Sequence, residues 1–78
     1  DDDLLSGVIT KLFSDRQMAV DNLVVRFLVS RIERSLATAQ DIVARIDRAA
    51  LEQGVRVTRQ LASSVLTEMD LGQKMLDL

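Results

Sequence analysis

Carboxylates are what this sequence offers for acid–base or metal chemistry, because its 78 residues contain neither His nor Cys. The commonest general base, the commonest imidazole ligand, every disulfide and every thiolate metal site are removed together. The best-spaced carboxylates, Asp15 with Glu33 or Asp41 across a helical hairpin, have nothing in the sequence to fix them as a pair. Asp1-Asp2-Asp3 offers a loose hold for a hard cation, but a terminal triplet without a scaffold reads better as negative charge complementing a helix start. No catalytic residue, cofactor or metal is expected, and the chain reads as non-enzymatic.

The second charged constellation is an arginine stripe. Eight of the ten basic residues are Arg, and on one continuous helix Arg31, Arg34, Arg45 and Arg48 fall within about 100° of each other, away from the apolar side. Such a stripe suits phosphate, which makes a small helical nucleic-acid-binding regulator the alternative function. Against it, Asp41 stands four before Arg45, and Arg48, Glu52 and Arg56 follow at i, i+4 steps, so an ion-paired, solvated face is preferred. A helix-turn-helix reading of Thr38 to Ile46 fails at the turn, where Asp47-Arg48-Ala49-Ala50 are acceptable helix residues. A pI near 4.9 also withdraws the electrostatic attraction behind non-specific DNA binding. Phe13 and Phe27 are the only aromatic residues, too few for a base-stacking platform.

The elements that position these groups read as helices throughout. Apolar residues make up 47% and charged residues 28%, a globular balance, while the absence of Pro and the presence of only three Gly favour long helices. Leu4, Leu5, Val8, Ile9, Leu12 and Phe13 form two i, i+4, i+8 rows on a first helix, weakened locally by Gly7. Ser14 with Gln17 fits a capping box that opens a second helix. From Asp15 to Gln53 nothing forces a stop. Val25, Leu28, Ile32, Ser35, Ala39, Ile42, Ile46 and Ala49 recur in 3-4 spacing, and Leu28 to Arg34 is echoed by Ile42 to Arg48 fourteen residues, or two heptads, later. As one helix this stretch is a rod of roughly 58 Å, too long for a 78-residue chain to cover. A second copy covers it, or it breaks near Ser35 to Thr38, with Thr38 capping a new helix; the first is preferred. Gly54 is a helix stop, Thr58 caps a last helix carrying Leu61, Ala62, Val65, Leu66 and Met69, and Gly72 ends or bends it before a tail bearing Met75, Leu76 and Leu78. Met18, Met69 and Met75 read as core filler. Leu23 to Val29 and Val55 to Thr58 are rich in β-formers, but two strands alone make a marginal sheet.

The expectation is one all-α domain spanning 1–78: a small helical bundle or hairpin with a long central helix, completed by self-association, and a piece of a longer chain since it opens on Asp rather than Met. Its function is protein–protein interaction or oligomerisation in assembly, docking or scaffolding, as a coiled-coil homodimer or with another protein. Val25, Leu28, Ile32, Ile42 and Ile46 are expected in the seam, with Arg31, Arg34, Arg45 and Arg48 at its margin. Arg26, Arg31 and Arg34 interrupt the greasiest stretch, so no membrane span is expected, nor a small-molecule substrate; with no secretory signal, cytoplasmic placement is the default.

Overall fold

Four helices carry the chain: α1 (Asp2–Asp15), α2 (Asn22–Arg31), α3 (Leu36–Gln53) and α4 (Arg59–Leu76). The computed structural model describes the backbone of residues 2–76 and the side chains of 2–72, so Asp1, Met75, Leu76 and Leu78 lie outside the described side chains.

Each boundary has a local cause. Asp2 and Asp3 place negative charge in the first turn of α1. Asp21 caps α2 by accepting the Leu23 N–H at 2.8 Å, Ser35 caps α3 by accepting the Thr38 N–H at 3.3 Å, and Thr58 caps α4 by accepting the Leu61 N–H at 3.1 Å. At the end of α3, Gly54 is left-handed at φ 65°. The Val55 N–H donates to the Ala50 carbonyl at 3.1 Å and the Gly54 N–H to that of Leu51 at 3.3 Å, the two bonds of a Schellman stop. α1 ends the same way on a less suitable residue. Gln17 sits at φ 61°, with Met18 N–H to Phe13 O at 3.0 Å and Gln17 N–H to Ser14 O at 2.8 Å.

That ending corrects the capping box. Ser14 lies inside α1 and Gln17 terminates it; α2 begins only at Asn22. The left-handed turn folds Met18 back toward Phe13 and onto the core, an apolar contact a capped helix at Ser14 would forgo.

The preferred rod is also overturned. Ile32 is extended at φ −100° and ψ 158°, and residues 32–35 separate α2 from α3. The break expected near Ser35 to Thr38 lies about three residues earlier, at 32–35, with Ser35 rather than Thr38 as the cap. In a continuous helix Leu28 and Ile46 would stand about 27 Å apart; broken, they share one core with Ile9, Phe13, Ala62 and Val65. The two-heptad echo therefore marks no coiled coil: its first copy runs into the connector, its second lies within α3, and α2 and α3 do not pack on each other. Leu23 to Val29 is helical and residues 55–58 form an unpaired connector. Gly72 does not stop α4.

The helices close a ring in the order α1, α2, α4, α3, with α1 against α2 and α3, and α4 against α2 and α3. Ion pairs lie at both ends of α1, Asp2 to Arg34 just before α3 at 2.6 Å and Arg16 to Asp47 within α3 at 2.7 Å, so α1 and α3 run side by side in the same direction. The body measures 36 × 33 × 18 Å, about two helix layers thick. Its core is wholly apolar among the described residues. Leu5, Ile9 and Phe13 are buried, while the other row grades from Leu4, 71% exposed, to half-buried Val8 and Leu12, the latter packed against the core. No described helix is long and apolar enough to cross a membrane.

Candidate functional site

The break at residues 32–35 decides where each expected seam residue goes. Val25, Leu28, Ile42 and Ile46 are buried within the single chain, so the apolar cover anticipated from a second copy is supplied by α1 and α4. Ile32 alone of the five is half-buried at the surface. The arginine stripe is dispersed for the same reason. Arg34 joins Asp2, Arg45 joins Asp41 at 3.1 Å, and Arg48 is exposed on α3. Arg56 lies beyond Gly54, so the Arg48–Glu52–Arg56 ladder ends with its helix. Asp15 pairs with Lys11 at 3.3 Å and meets neither Glu33 nor Asp41. No group of three or more acidic side chains able to hold a metal occurs among the described residues.

Arg31 instead belongs to a site that forms where α2 meets α4. Because Val24, Val25, Leu28 and Val29 face the core, Phe27 and, four residues on, Arg31 fall on the neighbouring flank. Because Thr58 fixes the start of α4 and Leu61, Ala62 and Val65 point inward, Arg59, Ser63, Ser64 and Thr67 are left outside. The flanks meet at Phe27, whose ring centroid is 5.0 Å from the Arg31 guanidinium carbon and 4.8 Å from that of Arg59. Each such contact contributes about 0.5–1 kcal/mol at an exposed position.

The electrostatics are lopsided. The ion pairs of the described residues engage Lys11, Arg16, Arg34 and Arg45; neither Arg31 nor Arg59 is among them. Arg59 is also the first residue of α4, where the helix dipole already presents positive charge and favours an anion. These two residues line an open groove of about 680 Å³ with Phe27, Ser63, Ser64 and Thr67, and no carboxylate lines it. The Thr67 hydroxyl donates to the Ser63 carbonyl at 3.0 Å.

A second depression of about 390 Å³ shares Arg31 as its wall and reverses the charge. Glu33, Asp41 and Asp70 supply carboxylates there, and half-buried Ile32, Leu66 and Met69 supply apolar floor. The Arg59, Ser63 and Thr67 half was missed in the sequence, although the Thr58 cap and the inward Leu61 and Val65 set its phase. A third depression, between Leu4, Val8 and Leu36 at the α1–α3 end, is apolar apart from Arg34 and Ser35. Comparison with protein-family models, with curated proteins and with solved structures finds no match for this chain.

Proposed function

We propose that this chain is a non-catalytic helical module that docks a segment of another protein along the α2–α4 flank, as part of assembly or subunit pairing in a larger complex. The observation that carries the reading is the pair of depressions meeting at Arg31, which set half-buried Phe27, Ile32, Leu66 and Met69 beside two arginines outside the ion pairs of the described residues. Aromatic, Met and Arg side chains are the types that protein interfaces concentrate and from which binding energy is mainly drawn. Docking another protein is favoured over pairing with a second copy because Val25, Leu28, Ile42 and Ile46, which supplied the motive for pairing, are already covered.

The test is to pan a displayed library of random peptides against the folded chain and map the selected peptides by ¹⁵N amide shifts. Peptides that perturb residues 27–33 and 59–70, and that lose at least tenfold in affinity against the Ile32→Ala/Met69→Ala variant, support the reading. Selection of nothing, selection of peptides that map to α1 and α3, or unchanged affinity in the double variant sinks it.

A further inference from the structure

We infer that the docked segment is a charge-segregated helix of about three turns, with carboxylates at the end that faces Arg31 and Arg59 and Lys or Arg at the end that faces Glu33 and Asp70. This rests on the docking reading and adds the chemistry of the partner.

The groove beside Phe27 is biased toward anions by its two arginines and by the start of α4. Its charged lining is Arg31 and Arg59 alone. Their common ring holds the two guanidiniums within about 10 Å of each other, close to the Debye length of about 8 Å at physiological salt, so part of their repulsion survives screening. Arg59 adds its charge to the positive end of α4. Carboxylates arriving there relieve the repulsion and satisfy planar donors that match them in bidentate geometry.

Beyond Arg31 the sign reverses. Asp41 is engaged by Arg45 at 3.1 Å, but Glu33 and Asp70 join no ion pair of the described residues, and both line the second depression. From Arg59 to Asp70 the α4 axis advances about 17 Å, the length of a helical segment of about eleven residues. Such a segment meets opposite charges at its two ends, its apolar side lying on Phe27 toward the arginines and on Ile32, Leu66 and Met69 toward the carboxylates. A nucleic acid does not match this track, since a phosphate chain lying on the arginines runs next onto carboxylates. A free phosphate remains largely hydrated in so open a groove and gains little from it.

Two synthetic helical peptides of identical composition test the inference. One carries glutamates at i, i+4 in one half and lysines at i, i+4 in the other, with leucines along one side; its control has the same charges alternating. The segregated peptide is expected to bind at least tenfold tighter in ¹⁵N titrations, to shift residues 27–33 and 59–70, and to weaken with added salt. The Arg31→Glu/Arg59→Glu variant should lose that preference and bind an all-lysine version of the peptide better than the parent chain does. If the double variant does not fold, Arg59→Gln with the salt titration gives the same readout, at a threefold or greater loss. Equal binding of the two peptides, shifts elsewhere, or tighter binding of a generic DNA duplex in the same groove overturns the inference. If library-selected peptides still map to this flank while showing no charge segregation, the partner chemistry fails and the docking reading stands.

Discussion

The two aromatic rings divide the molecule. Phe13 closes α1 onto the core at 1% exposure, in a half whose cross-helix charges, Asp2 with Arg34 and Arg16 with Asp47, are matched. Phe27 lies half-buried between α2 and α4, under two arginines that join no ion pair of the described residues. One half ties its helices together with cross-helix ion pairs; the other holds two cations on a ring and presents them. Two cations gathered on one ring are the charge that the proposed docking segment would engage.

The largest expected difference sits in those rings. Phe13→Ala should destabilise by about 3–5 kcal/mol, because it removes a fully enclosed ring and leaves a cavity. Phe27→Ala should lose only about 1–2 kcal/mol, since part of its surface is already wet. Urea unfolding checks both, and equal losses would erase the distinction between the halves. Next come the two left-handed helix ends. Gln17→Gly should stabilise by about 1 kcal/mol, and Gly54→Ala should destabilise by a similar amount, because φ near 60° strains any side chain with a Cβ. The smallest effect belongs to the ion pairs. Asp47→Asn, at a carboxylate only 21% exposed, should lose about 1 kcal/mol, whereas Asp2→Asn should lose under about 0.5 kcal/mol and nothing measurable in 1 M salt. A larger loss at Asp2 than at Asp47 would show that α1 is pinned from the other end.

Helical content and the apolar faces were legible because a 3.6-residue period survives in Leu5, Ile9 and Phe13 and again in Leu61, Ala62 and Val65. The stops at Gly54 and Thr58 were legible because each residue type solves a specific backbone problem. Ser14 with Gln17 misled, since the same four-residue pattern sits at the end of one helix and at the start of another; what separates them is the pull of Met18 onto Phe13. The break at residues 32–35 was only half legible. Ser35 advertises a cap, but whether it acts depends on α1 and α4 being close enough to cover Leu28 and Ile46 from both sides. The site followed the break. Ile32, expected in a seam, and Arg31, expected at its margin, lie instead around two depressions with Arg59, Glu33 and Met69, a neighbourhood set by packing between α2 and α4 that no local spacing contains.

Since α1 abuts α3 while α2 abuts α4, the halves alternate along the chain and neither is a contiguous stretch of polypeptide. Cutting the molecule anywhere between helices strips a neighbour from both halves at once. The module is thus indivisible: removing α1, however far from Phe27, uncovers α3, and α3 is what keeps α4 in place beneath the arginines.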